Sequence, residues 1–133
     1  MARTNDGKVV LCVDDETIGL AVRKQVLEAR GYHVFTAENG PKALEIFSSK
    51  PLDLVILDYK MPEMNGDIVA DKMKRLKPSV PILMLSAYVD LPRETLELVD
   101  MYLTKGEGPL AMLRAVAELL AQNAQSGAWS TAD

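Results

Sequence analysis

Three short runs along the chain are apolar at every position and stop at a polar residue. Val9-Val10-Leu11-Cys12-Val13 stops at Asp14, Leu54-Val55-Ile56-Leu57 at Asp58, and Pro81-Ile82-Leu83-Met84-Leu85 at Ser86. Unbroken apolar runs of this length predict strands buried on both faces, as in the middle of a parallel sheet. Tyr32 to Ala37 and Met101 to Thr104 predict two weaker strands. Between the runs, apolar residues recur at helical spacing. Ile18, Val22, Val26 and Ala29 predict a first helix, with Gly31 as its stop. Pro41 opens a second, which turns Ala43, Leu44 and Phe47 inward. Ile68, Val69, Met73 and Leu76 form a third stripe, ended near Pro78. Leu91 to Val99 has room for a short helix of about two turns. Pro109 opens the last helix, with Leu110, Leu113, Val116, Ala117 and Leu120 on one side.

The order is strand then helix, five times over, which predicts an α/β fold: a parallel sheet with helices on both faces. One domain is expected over residues 7–122, followed by a polar, small-residue-rich flexible tail over 123–133. A length of 133 residues fits a single domain, and 48% hydrophobic residues can fill its core. A net charge of −4 and a pI near 5.0 argue against direct binding to nucleic acid. No apolar stretch follows the charges of MARTNDGK, so no secretory signal is expected, and no run approaches the ~20 residues that span a bilayer. A lone cysteine, Cys12, sits inside an apolar run as a core thiol, consistent with a reducing cytoplasm.

The chemistry lies at the strand ends. Ligands of open α/β sheets bind outside the carboxyl ends of the strands. Those ends here are Asp14-Asp15-Glu16, Asp58, Ser86 and Lys105. If the strands that carry them are neighbours, three carboxylates, a hydroxyl and an ammonium converge. Two carboxylates ~5 Å apart repel by about 3 kcal/mol at an effective dielectric near 20, so three need a compensating cation. An oxygen-only donor set suits Mg²⁺. A carboxylate in such a place can act as a nucleophile and form an acyl phosphate, with the protein supplying position and charge.

The pattern resembles the receiver domain of bacterial response regulators. The resemblance runs from about Lys8 to Leu120 and rests on VDDE at 13–16, LDYKMPEMNG at 57–66, LSA at 85–87 and YLTK at 102–105. It implies a flavodoxin-like (βα)5 receiver fold with strand order 2-1-3-4-5. It implies a phosphoryl-accepting switch that takes its phosphoryl group from a phosphohistidine on a sensor histidine kinase or a histidine phosphotransfer protein. By the same resemblance, Asp58 is the phosphoacceptor. Asp15, Asp58 and the backbone carbonyl of Lys60 hold Mg²⁺, and Asp14 acts on the metal through water. Lys105 pairs with phosphoryl oxygens, Ser86 rotates to meet one, and the backbone amide of Ala87 holds the group. Tyr102 matches the switch aromatic. Such a protein catalyses only its own phosphorylation and dephosphorylation, and is not a turnover enzyme.

Three other readings compete. A pseudo-receiver would bind partners without phosphate, but would be expected to lack an acidic residue or the lysine, and all are here. A stand-alone response regulator is expected; the chain could also be the receiver fragment of a longer DNA-binding regulator. A haloacid-dehalogenase-type phosphohydrolase needs a second aspartate two residues after the first, where this chain has Lys60. Two departures from the receiver pattern stand out. Gly106 follows Lys105 where receivers carry a cis proline; a trans bond is expected, with Gly106 absorbing the turn. The span from Ser86 to Lys105 is also short, which predicts a short or irregular fourth helix. His33 is expected to be a partly exposed strand residue with no role at the site. Trp129 is expected to be an ordinary tail residue.

Overall fold

The computed structural model describes residues 7–88 and 90–132, with side chains through residue 123. The elements alternate as the apolar pattern requires. They are β1 (Val9–Val13), α1 (Thr17–Glu28), β2 (His33–Ala37), α2 (Gly40–Ser49), β3 (Leu54–Asp58) and α3 (Gly66–Leu76). They continue with β4 (Ile82–Ser86), α4 (Arg93–Glu97), β5 (Met101–Thr104), a 3₁₀ turn over Lys105–Glu107, and α5 (Gly108–Ala132). All pairings are parallel, and the sheet order is β2-β1-β3-β4-β5. The three unbroken apolar runs form the three inner strands, because only an inner strand is covered on both sides.

Strand alternation splits the core into two layers. Leu11, Val13, Val55, Leu57, Ile82 and Met84 face one side, where they pack with Ala43 and Phe47 of α2 and Val69 and Met73 of α3. Val10, Cys12, Leu54, Ile56, Leu83 and Leu85 face the other, against Leu20 and Leu27 of α1 and Met112, Leu113 and Val116 of α5. Cys12 is fully buried, and that burial pushes its thiol up to about 12, so it is an inert core group. His33 is exposed, as expected.

Three helix faces differ from the sequence reading. Ile18 and Val22 of α1 are 79% and 52% exposed, whereas Leu20 and Leu27 are buried. Leu110 of α5 and Ile68 and Leu76 of α3 are also exposed, and Ala117 lies outside the buried stripe of Met112, Leu113, Ala115, Val116 and Leu119. A helix with apolar residues on more than one face has more than one plausible phase. The sheet beneath selects the one that buries the larger stripe. α4 has five residues, consistent with the short connection, and only Thr95 within it is buried. The α5 backbone runs on through the segment read as a tail, as far as Ala132. Trp129 lies outside the residues whose side chains are described. No described helix is long and apolar enough to cross a membrane.

Carboxylates tie down the starts of two inner strands. Asp53 Oδ2 accepts from the Val9 amide at 2.7 Å, and Asp100 Oδ2 accepts from the Ile82 amide at 2.7 Å and from Lys74 Nζ at 2.6 Å. Asp100→Ala strands the part-buried Ile82 amide and is expected to cost about 1–2 kcal/mol. A lower urea midpoint with an unchanged slope is the expected reading.

Candidate functional site

The register of the sheet brings the strand ends together. Val13 lies beside Leu57, and Asp58 beside Leu85, so Asp14, Asp58 and Ser86 emerge side by side. The Tyr59 amide donates to the Leu85 carbonyl at 3.1 Å and closes the β3–β4 edge. Carboxylate oxygens of Asp14, Asp15 and Asp58 all lie within 4.8 Å of one another. Asp14 and Asp58 are buried, while Asp15 faces solvent.

Lys105 supplies the charge that three such groups require. Its Nζ lies 2.9 Å from Asp14 Oδ2 and 3.1 Å from Asp58 Oδ1. The sequence reading paired Lys105 with a phosphoryl group; in this structure it bridges two of the acids. Burial alone lowers a lysine, but the hydrogen bonds to Asp14 and Asp58 outweigh it and hold the ammonium above its ordinary value. Burial raises the Asp14 carboxyl, but the Glu16 amide at 2.9 Å, Lys105 and Arg23 together hold it below the ordinary range. Asp58 goes the other way. Burial and the neighbouring Asp14 push it up to about 6, and Lys105 offsets only part of that. The two acids thus have opposite characters: Asp14 is the settled anion and Asp58 the frustrated one.

The loops hold this arrangement. After Lys105 the peptide bond is trans, as expected. The turn is not absorbed at Gly106, which sits within the 3₁₀ turn; the left-handed residue is Gly108, with φ 86°. Glu107 reaches back to accept from the Thr104 amide at 3.1 Å, which ties the turn to the end of β5. After Asp58 the chain doubles back so closely that the Gly66 amide donates to the Tyr59 carbonyl at 2.6 Å. Asn65 Oδ1 accepts from the Met61 amide at 3.1 Å within the same loop. Lys60 is exposed on this loop. Met61 and Met64, the turn methionines, pack into the core layer beneath α2 and α3.

Ser86 and Tyr102 are linked through one residue. Ser86 is buried, and its Oγ accepts from the Tyr88 amide at 2.9 Å. The Tyr88 carbonyl in turn accepts from the Tyr102 hydroxyl. Tyr102 is half-buried, and Ala87, the residue after Ser86, is exposed. Sequence reasoning missed Arg23. Its guanidinium donates to Asp14 Oδ2, which makes it a second cation at the site. The signal available was an arginine on the same stripe of α1 as Leu20 and Leu27.

The donor set is oxygen only, with three carboxylates and no sulfur or imidazole among the described residues close enough to share a metal with them. That set fits a hard divalent cation such as Mg²⁺.

Residues 10–117 match the family model described as the response regulator receiver domain. Among curated relatives, the transcriptional regulatory protein GlrR of Escherichia coli is 32% identical over 118 residues, which cover 86% of this chain and 27% of that protein. The chain spans between 10% and 27% of the length of the first curated relatives it matches. A CheY-like response regulator receiver domain protein from Methanospirillum hungatei superposes with a TM-score of 0.84 at 29% identity, covering 90% of this chain and 98% of that one. The response regulator TrrA from Thermotoga maritima, solved in complex with Mg²⁺ and beryllofluoride, superposes with a TM-score of 0.78 at 36% identity, covering 84% and 98%.

Proposed function

This chain belongs to the response regulator receiver domain family, and from that footing we propose that Asp58 is the residue through which it acts as a phosphoryl-accepting switch. A receiver domain of a two-component system is a signalling switch, not a metabolic catalyst. The observation that carries the assignment to Asp58 is the Lys105 ammonium lying between it and Asp14, within a cluster of three carboxylates.

A carboxylate oxygen of Asp58 attacks the phosphorus of a phosphohistidine on a sensor histidine kinase or a histidine phosphotransfer protein. The phosphorus–nitrogen bond breaks, and the imidazole leaves with a proton. Asp15, Asp58 and the Lys60 carbonyl would hold Mg²⁺, with Asp14 acting through water. The ion supplies charge neutralisation for the phosphoryl oxygens. The charge at Asp58, costly in the resting site, makes its carboxylate a ready nucleophile. Lys105 then follows the new phosphoryl oxygens, and the Ala87 amide and the Ser86 hydroxyl receive the others. When Ser86 turns toward the phosphoryl group, the Tyr88 amide loses its acceptor. The Tyr88 carbonyl shifts with it, and its hydrogen bond from the Tyr102 hydroxyl is lost. Tyr102 is thereby the switch residue of β5. The working unit is residues 7–122, it acts in the cytoplasm, and its acidic surface is unsuited to direct contact with nucleic acid.

The test uses Mg²⁺ and acetyl phosphate as donor. Intact mass is expected to rise by one phosphoryl group, and EDTA is expected to prevent the gain. No gain at saturating donor, together with no Mg²⁺-dependent response to beryllofluoride, would instead support a binding module that works without phosphate.

A further inference from the structure

Arg23 has no part in the reading above, yet it is built into the site. It is 16% exposed, and it donates to Asp14 Oδ2, the oxygen that also accepts from Lys105. Its route runs over Gly19, one turn earlier on α1. A Cβ at position 19 would stand 3.6 and 3.7 Å from the two terminal guanidinium nitrogens. Those are ordinary contacts, so alanine fits there and a longer side chain would need the space the guanidinium occupies. A small residue at this position therefore leaves room for Arg23.

Charge counting gives the pairing a consequence. Three carboxylates against Lys105 and Arg23 leave one net negative charge. A divalent ion added to that set makes it net positive, so Arg23 opposes the ion. A phosphoryl group on Asp58 replaces one negative charge with about two. With the ion and both cations present, the phosphorylated site is then neutral; without Arg23 it would be negative. We propose that Arg23 is an internal counter-cation that weakens Mg²⁺ binding to the site and brings the phosphorylated, metal-loaded site to neutrality. This rests on Asp58 being the phosphoacceptor.

The test is Mg²⁺ affinity, by calorimetry without beryllofluoride and by fluorine NMR with it, on wild type, Arg23→Gln, Arg23→Lys, Gly19→Ala and Gly19→Leu. Arg23→Gln is expected to bind Mg²⁺ roughly tenfold tighter without beryllofluoride, as loss of a nearby unit charge implies. The same roughly tenfold tightening is expected with beryllofluoride present, because the repulsion between Arg23 and the ion is common to both states. Arg23→Lys and Gly19→Ala are expected to behave as wild type. Gly19→Leu keeps the arginine but removes its room, and is expected to follow Arg23→Gln. A purely structural arginine would lower the melting temperature of its variants and leave Mg²⁺ affinity unchanged with and without beryllofluoride; that result overturns the proposal. If wild type shows no gain in Mg²⁺ affinity on adding beryllofluoride, the assignment of Asp58 fails first.

Discussion

Asp58→Asn is expected to abolish phosphoryl incorporation and, at the same time, to raise the melting temperature of the metal-free protein at pH 7. The first effect removes the nucleophile, since an amide oxygen cannot form the acyl phosphate. The second follows from the carboxyl being pushed from 3.8 up to about 6 by burial and by Asp14. Between those two values the folded chain holds a proton that the unfolded chain has lost. Stability contributed by this group therefore falls as pH climbs from about 4 to about 6 and stays low above that. Asparagine carries no such dependence. The variant's advantage should be full at pH 7 and vanish near pH 4. Allowing for solvent relaxation around the carboxylate, the gain is about 1–2 kcal/mol, or about 3–8 °C in melting temperature. Asp14 has the opposite sign: its lowered carboxyl contributes stability that is lost as pH falls. Thermal melts in EDTA at pH 4, 5, 6 and 7 separate the two. An Asp58→Asn melt no higher than wild type at pH 7 would contradict the strain assigned to this carboxylate.

Gly66→Ala is expected to be strongly destabilising. A Cβ at Gly66 would fall 2.3 Å from the Asp58 carbonyl oxygen and 3.0 Å from Tyr59 Cα. Both are backbone atoms, so no side chain can swing aside. Either α3 backs away from β3, loosening Val69 and Met73 in the core, or the Asp58 peptide shifts and the carboxylate moves with it. Alanine's better helix propensity returns only about 0.5–1 kcal/mol. A net loss of about 2–3 kcal/mol is expected from overpacking against fixed backbone. Urea unfolding gives the stability, and acetyl phosphate labelling of the folded fraction gives the effect on the nucleophile. A variant that unfolds at the wild-type midpoint and labels at the wild-type rate would show that this close approach is not needed.

The parts of the fold that could be read from sequence are those where burial leaves one solution. β1, β3 and β4 are apolar at every inward and outward position, so neither phase nor identity was in question. Their polar ends then pointed to Asp14, Asp58 and Ser86. The strand order came with the family resemblance and not from the residues alone. Helix faces were less legible. Ile18 and Val22 satisfy helical spacing as well as Leu20 and Leu27 do, and only the sheet below decides between them. The same rotation brings Arg23 to Asp14, so the missed phase of α1 and the missed cation are one error. The turn after Lys105 was placed at Gly106 because it replaces the family's proline. The left-handed backbone sits at Gly108, where the 3₁₀ turn gives way to α5. Local identity marked a glycine-rich turn, and only the path into the last helix chose which glycine bends.

The contrast between the third and fifth strands has a mechanical consequence. β3 lies mid-sheet with every residue buried, whereas β5 is outermost with every residue partly exposed. In the proposed function, bond making falls on a buried central strand with neighbours on both sides. By that proposal, movement passes sideways through the Ser86–Tyr88–Tyr102 hydrogen bonds to the partly exposed outer strand.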